Sequence, residues 1–179
     1  MQNDAVPPNS AMNNLSQEDR DLRQWLLKQA EDHGNAVVEV AGDEHGAPYC
    51  FTVGAWRRFG VAEAVVIGLP LELGRVLVTA YVNEARQGVR FQPGQLYRQF
   101  FNGVPITVER VARGWYPEYF GSAFLLHPTG DFPAVQLIVP AEGGYWPWHP
   151  KAPPGFAQWQ PVLTASGRPE SWRPGIDGA

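Results

Sequence analysis

The sequence predicts an α+β fold: a mainly antiparallel sheet of about five to six short strands with two principal helices and a long C-terminal loop rich in proline and tryptophan. Strand-like runs joined by tight turns predict the antiparallel sheet. The two helical patterns lie outside the series of strands, which is typical of α+β rather than doubly wound folds. Eight of the 17 prolines and four of the seven tryptophans fall from Pro140 onward, which predicts the loop.

The first predicted element is a helix that begins after Ser16 and ends at Gly34. Ser16 is a favourable N-cap, and acidic residues follow it in the first turn. The apolar residues of this helix recur at helical spacing: Leu22, Trp25, Leu26 and Ala30. Residues 36–40 and 48–53 are β-rich runs separated by turn-forming residues, so they predict a hairpin.

A short, continuous apolar run at residues 64–67 predicts a strand that is covered on both faces and therefore lies centrally. Gly68-Leu69-Pro70 ends this strand. Apolar residues then recur at i, i+3, i+4 and i+7 and predict the second helix, which ends by Gly88. These positions are Leu73, Val76, Leu77 and Ala80.

A second hairpin is predicted where residues 96–101 and 104–111 flank Asn102-Gly103. This dipeptide readily supplies the two positive φ angles of a type I′ turn. Pro105 lacks a backbone donor, so it places its end of the second strand at an edge or a strand start.

Residues 116–127 follow neither period and are expected to be irregular. The apolar run at 134–139 predicts another buried strand, and only loops are expected after it. Residues 16–165 are expected to form one domain. Residues 1–15 are expected to be a disordered leader and residues 166–179 a flexible tail, because both are polar or rich in proline and glycine.

Composition limits the classes of partner and compartment. The chain of 179 residues carries a net charge of -4, which disfavours nucleic acid and anionic membranes as partners. A single cysteine, Cys50, excludes an intramolecular disulfide and a four-thiolate metal site. The leader lacks the pattern of a secretory signal, and no run of eighteen apolar residues is present. We therefore expect a cytoplasmic protein.

Several motifs stand in one order along the chain: Gly34 after a helix, Pro48-Tyr49-Cys50-Phe51-Thr52-Val53-Gly54, Val66-Ile67-Gly68-Leu69-Pro70, Val135-Gln136-Leu137, Glu142 to Trp148, and Gln160 to Leu163. Together they resemble the bacterial domain of unknown function 4262 family over residues 33–163. The resemblance implies a small bacterial cytoplasmic domain without an established activity. Two family features differ here: Val61-Ala62-Glu63 stands where His-Pro-Glu is usual, and His149 stands where an acidic residue is usual.

Four side chains are candidates for catalysis: His45, Cys50, His127 and His149. Cys50 is a nucleophile only if a histidine lies within hydrogen-bond reach, because the thiolate is the reactive form. The favoured interpretation is that Cys50 is a small apolar residue that packs on a strand. The sequence contains no Gly-x-Ser-x-Gly elbow and no phosphate-binding glycine loop.

A metal site is considered at His33, Asp43, Glu44 and His45, whose side chains could meet across the first hairpin. No His-x-His or His-Glu-x-x-His spacing supports it. Polar residues also concentrate in turns for backbone reasons alone, so a solvated turn is favoured. No metal and no cofactor are predicted.

Aromatic side chains and one arginine are the candidates for binding: Tyr49, Trp56, Arg57, Tyr145, Trp146 and Trp148. The segment 56–59 is the choice for contact with a small anion. The segment 145–150 offers a wide and stiff aromatic surface for a ligand or partner. The alternative, which is favoured, is that these residues cover a sheet edge as a structural element.

The function expected from these patterns is a non-enzymatic binding or interaction module, for instance an immunity-type protein that occupies a toxin. Its partner is a protein or a small ligand, and neither nucleic acid nor membrane. The alternative is a small enzyme with a histidine as acid or base in a pocket walled by Tyr49, Trp56, Tyr145 and Trp148. Sequence leaves strand order, oligomeric state and the identity of the partner open.

Overall fold

The computed structural model describes residues 15–171, and these residues form a six-stranded sheet of the predicted class. The strands are β1 (Ala36–Val40), β2 (Tyr49–Val53), β3 (Glu63–Ile67), β4 (Leu96–Phe101), β5 (Val104–Arg110) and β6 (Ala134–Ile138). Their order across the sheet is β1-β2-β3-β6-β5-β4. The pair β3–β6 is parallel and every other pair is antiparallel, which confirms a mainly antiparallel sheet with β3 near its centre.

Five α-helical segments accompany the sheet within these residues. They are α1 (Gln17–His33), α2 (Ala55–Phe59), α3 (Leu71–Arg86), α4 (Tyr116–Tyr119) and α5 (Phe156–Trp159). The two principal helices, α1 and α3, confirm the prediction. Ser16 caps α1 by accepting the backbone N–H of Asp19 at 3.1 Å, and Gly34 ends it with a φ of 94°.

Three stretches differ from the prediction. Residues 56–59, expected to be a loop, belong to α2. The expected irregular region, residues 116–127, contains α4 and the 3-10 turn Gly121–Leu125, and a further 3-10 turn, Arg113–Trp115, precedes it. The expected loop after β6 contains α5. These helices have only four or five residues each, and stretches this short do not produce a helical period in the sequence.

The two faces of the sheet are covered by different elements. α3 packs on β1, β2 and β3 on one face, while α1 and the 113–126 segment cover the other. In β3, Val65 faces the α1 side and Val66 faces the α3 side. Burial on both faces is therefore the reason that this strand is a continuous apolar run.

The chain returns to the sheet after β6 through two buried glutamines. The Gln136 amide donates to the Pro161 carbonyl oxygen at 2.7 Å and accepts from the Leu163 N–H at 2.9 Å. Gln160 makes the reciprocal pair of bonds with the backbone of Val139, at 2.6 and 3.0 Å. Side-chain amides thus satisfy backbone polar groups of the returning segment and of Val139, the residue after β6.

Most of the predicted leader and part of the predicted tail, residues 1–14 and 172–179, lie outside the described residues. Residues 166–171 are described and are held by hydrogen bonds. The backbone N–H of Ser171 donates to the Glu109 carboxylate at 3.0 Å, and the Arg168 N–H donates to the Ser166 hydroxyl at 3.2 Å. Within residues 15–171, no helix combines the length and apolar character needed to cross a bilayer.

Candidate functional site

A cleft opens at one end of the sheet, where β1 and β3 end and β2 begins. Its volume is about 250 Å³. It is lined by the β1–β2 loop, the end of β3, α4, and α5 with the residues after it. We call it the sheet-edge cleft and define it by six of its lining residues: Asp43, His45, Tyr49, Glu118, Tyr119 and Trp159.

Two tyrosines form one wall of this cleft. The ring centroids of Tyr49 and Tyr119 lie 5.0 Å apart with an interplanar angle of 67°, the edge-to-face arrangement that aromatic pairs favour. The Tyr49 hydroxyl donates to the Glu118 carbonyl oxygen at 3.1 Å. Burial raises the pKa of Tyr119 to about 12, and burial followed by the Glu118 charge raises the pKa of Tyr49. Both phenols are therefore neutral at neutral pH.

The opposite side of the cleft is the loop between β1 and β2, which Asp43 shapes. Asp43 Oδ1 accepts the backbone N–H groups of His45 and Gly46 at 2.8 and 3.1 Å. The Asp43 N–H in turn donates to the Gly46 carbonyl oxygen at 3.0 Å. This is an Asx-type turn, so the position of the Asp43 carboxylate is fixed by the loop itself.

The lining of the cleft is acidic. Asp43 and Glu118 supply carboxylates, His45 supplies its one imidazole, and among residues 15–171 no lysine or arginine lines it. His45 Nε2 lies 3.4 Å from Glu44 Oε1, and both side chains are more than 80% exposed, at 84% and 86%. Solvent therefore surrounds most of this imidazole.

The structure brings only one of the four catalytic candidates, His45, into the cleft. Cys50 lies on the α3 side of the sheet, where it is 1% exposed and packs close to Gly74. Burial raises the pKa of the Cys50 thiol to about 12. A thiol in this state is protonated at neutral pH, which is the state of a packing residue.

The other two histidines line neither this cleft nor a common site. The His127 ring packs against Phe132 with centroids 5.4 Å apart, and burial, then the charge of Arg57, lowers its pKa. His149 Nδ1 accepts the backbone N–H of Lys151 at 3.0 Å. Each imidazole thus has a separate environment.

Of the binding candidates, Tyr49 lies in the cleft, whereas Trp56 and Arg57 lie at the other end of β2. Tyr49 pairs with Ile67, while Val53, shortly before Trp56, pairs with Ala36. A strand of five residues spans about 16 Å, so Tyr49 and Trp56 cannot wall one pocket as the sequence suggested. Arg57 instead lines a separate cavity of about 390 Å³ beside α1.

The three remaining candidates lie in the 145–150 segment. Trp146 is 4% exposed and packs with Ile138 at the end of β6. Its ring stacks on Trp148, with centroids 5.5 Å apart and planes within 4°. The Tyr145 ring contacts His149 at 4.9 Å. These contacts pack Trp146 of the 145–150 segment against β6.

The metal candidates are separated by β1. His33 ends α1 before the strand begins, whereas Asp43, Glu44 and His45 follow its other end. The first hairpin therefore does not bring His33 to the other three, because the turn and the base of a hairpin lie at opposite ends. Among residues 15–171, no group of three histidine, cysteine, aspartate or glutamate side chains is placed to hold a metal ion.

The family model for "Domain of unknown function (DUF4262)" matches residues 29–153, which is more than half of the chain. The chain belongs to the DUF4262 family. No curated protein and no solved structure matches it. The matched region of this DUF4262 domain contains the cleft residues from 40 to 119, while Trp159 and its neighbours lie beyond it.

The Glu63 side chain binds the Thr-Val-Gly segment of this DUF4262 domain, residues 52–54, through hydrogen bonds. This role of Glu63 was not identified from the sequence. Glu63 is fully buried, and its carboxylate accepts the Thr52 hydroxyl at 2.9 Å. It also accepts the backbone N–H groups of Gly54, Ala55 and Trp56 at 3.0, 3.1 and 3.2 Å. The carboxylate thereby accepts hydrogen bonds from the first backbone N–H groups of α2. The N-cap residue, Gly54, has no side chain that could do so.

Burial is the largest influence on the ionisation of Glu63. It raises the pKa of this carboxyl to about 7, although the four hydrogen bonds favour the charged form. The signal in the sequence was an acidic residue at the start of an otherwise apolar strand.

Gly68 in the Gly-Leu-Pro motif supports the remaining wall of the cleft. Its φ is 90°, and a Cβ at this position would lie 2.8 Å from the indole of Trp159. The Trp159 Nε1–H donates to the Gly68 carbonyl oxygen at 3.0 Å. The indole therefore rests directly on the backbone, which requires glycine.

Sequence reasoning named Asp43, His45 and Tyr49 but missed Glu118, Tyr119 and Trp159. The missed residues belong to α4 and α5, whose folding the sequence did not indicate. The density of aromatic residues in the segment 115–120 was the available signal.

Proposed function

We propose that this DUF4262 domain is a non-enzymatic module that binds a partner protein through the sheet-edge cleft. The single observation that carries the proposal is the cleft itself: a concave site with three aromatic rings, two carboxylates and one solvent-facing imidazole. Such a lining offers contacts for recognition. It offers neither an activated nucleophile nor an acid and base held at a fixed separation.

The aromatic residues suit an interface. Tyrosine and tryptophan provide large contact areas with few rotatable bonds, so they lose little entropy on binding. Trp159 is 47% exposed at the rim, and tryptophan is among the residue types enriched in interface hot spots. Its indole is already oriented by the hydrogen bond to Gly68, which lowers the ordering cost further.

The proposed interaction surface is the sheet-edge cleft and not the 145–150 segment. Trp146 and Trp148 stack on each other and pack against the sheet, so their rings already contribute to folding. Among residues 15–171, neither a second histidine nor an arginine lines the cleft, so an enzyme with a histidine acid or base has no support there.

Cys50 and the net charge of the chain support the proposed compartment and argue against nucleic acid as the partner. A free, buried Cys50 suits a reducing compartment such as the cytoplasm. The net charge of -4 and the acidic lining disfavour nucleic acid as the partner.

The test is affinity capture with the full chain as bait, in cells of the organism that encodes it. Trp159→Ala removes the exposed indole of the cleft, and Trp25→Ala is the matched control, because Trp25 on α1 is 44% exposed. We expect the native chain and Trp25→Ala to retain one stoichiometric protein that Trp159→Ala loses. Capture of no such protein, or equal capture by both variants, would contradict the proposal.

A further inference from the structure

We infer that the sheet-edge cleft binds the cationic end of an arginine or lysine side chain presented by the partner protein. The inference rests on the proposed function and adds the chemistry that its cleft selects. Three features of the cleft carry it: an uncompensated negative charge, neutral aromatic surfaces beside that charge, and a small volume.

The charge of the cleft has no internal counterion in the described part of the chain. Asp43 and Glu118 are its carboxylates, and within residues 15–171 neither takes part in an ion pair. Both bonds that Asp43 accepts from its own loop end on Oδ1. The cleft therefore attracts a cation and repels an anion.

The aromatic surfaces stand beside these carboxylates. The edge-to-face contact fixes Tyr49 against Tyr119, and both phenols are neutral at pH 7, since burial only raises pKa values that are ordinarily 10.0. Trp159, the aromatic side chain that binds cations best, completes the wall. A guanidinium or ammonium group gains from both the ring faces and the carboxylates, whereas a neutral polar group gains from neither charge term.

The volume suits one side chain. At about 250 Å³ the cleft lies just below the range of roughly 300–1,000 Å³ that is typical of pockets for drug-sized ligands. A metal ion is a poorer occupant, because the described residues place no group of three metal-ligating side chains together.

The first experiment measures cation binding by the full chain. N-acetylargininamide and N-acetyllysinamide are titrated into ¹⁵N-labelled protein, and N-acetylcitrullinamide serves as the neutral isostere of the arginine probe. We expect saturable shifts of the His45 and Gly46 amides and of the Trp159 indole with both cations. Binding of the citrulline probe should be at least tenfold weaker. Equal binding of the arginine and citrulline probes, or no shifts at these groups with either cation, would overturn the inference.

A matched pair of variants tests the charge. Glu118→Gln keeps the carbonyl oxygen that Tyr49 donates to, so it changes the charge without removing that contact. Glu142→Gln makes the same substitution at an exposed position outside the cleft. We expect Glu118→Gln to weaken binding of the arginine probe at least fivefold and Glu142→Gln to leave it unchanged. Equal affinities of the two variants would count against the inference.

Failure of this inference and failure of the proposed function are distinguishable. If a partner is captured through Trp159 but the probes do not bind, the cleft is an interface of different chemistry and the inference alone is wrong. If the probes bind as expected but no partner is captured, the chemistry of the cleft holds and the protein-binding function is wrong.

Discussion

The aromatic ring of Tyr119 meets that of Tyr49 edge to face, with centroids 5.0 Å apart, and this contact joins α4 to the first residue of β2. The two residues lie seventy positions apart in the chain. Together with the Tyr49 hydroxyl bond to the Glu118 carbonyl oxygen, the contact fixes one wall of the sheet-edge cleft.

Replacing Tyr119 by alanine should weaken the fold and open this wall. Loss of the edge-to-face pair and of part of its buried area should lower the free energy of unfolding by about 1–3 kcal/mol. Tyr119→Phe keeps the ring and should change the free energy of unfolding by less than about 0.5 kcal/mol. Urea unfolding of the three proteins measures the difference. Equal losses in the two variants would show that the ring contact contributes nothing.

Glu63 should make stability depend on pH in a definite direction. Burial raises the pKa of its carboxyl to about 7, above the usual 4.5 that it has in the unfolded chain. The folded state therefore binds the proton more tightly. The resulting contribution to stability is complete below about pH 4.5 and is lost as the pH rises through about 7. At about 1.4 kcal/mol per pKa unit, the change is on the order of 3 kcal/mol.

Glu63→Gln isolates this effect. We expect the variant to be less stable at every pH, because its amide presents N–H groups to backbone donors that the carboxylate had satisfied. Denaturation at a series of pH values gives the measurement. The loss of stability between pH 5 and pH 8 should be larger in the native chain than in the variant, and parallel curves would contradict the assignment.

Gly68→Ala should lower the free energy of unfolding more than alanine at a glycine whose Cβ position has open space around it. A Cβ at Gly68 meets the Trp159 indole, whereas at Gly60, with a φ of 66°, it meets nothing within 4 Å. In both variants the positive φ is unfavourable for alanine, which should lower the free energy of unfolding by roughly 1–2 kcal/mol. Gly68→Ala should lose about 1 kcal/mol more and shift the Trp159 indole resonance. Chemical denaturation and an indole spectrum test this, and equal effects of both variants would contradict the contact.

Gln160→Ala should loosen the return of the chain to the sheet. Gln160 is buried and its amide makes both bonds to the Val139 backbone, so its removal leaves a buried N–H and C=O unpaired. We expect a loss of about 2–4 kcal/mol. Gln158→Ala, at an exposed position two residues earlier, is the control and should lose less than about 0.5 kcal/mol. A small loss in Gln160→Ala would mean that water replaces the amide.

Local patterns were sufficient to predict the strands. β1 and β4 have the predicted bounds, and the other four strands differ by one residue at an end, because β-branched runs and turn residues act over short distances. The parallel pairing of β3 with β6 was not predicted. Residues 68–133 separate these two strands in the chain. No local pattern in the sequence indicates that β6 pairs with β3.

The cleft was predictable only in part, for a related reason. Tyr49 and His45 lie on a hairpin that the sequence indicated clearly, and both were named. α2 is stabilised by the carboxylate of Glu63 rather than by its own residues, and α4 and α5 are too short to show a period. Side chains that depend on such tertiary contacts, including Tyr119 and Trp159, could not be assigned to a common site beforehand.

The central claim is that a partner protein contacts the sheet-edge cleft, and site-specific photocrosslinking tests it most directly. A photoreactive phenylalanine analogue replaces Gln158, an exposed residue of the cleft lining, in one sample and Gln24, an exposed residue of α1, in another, in cells of the encoding organism. The account predicts one discrete protein adduct from position 158 and none from position 24. No adduct from position 158, or the same adducts from both positions, would contradict it.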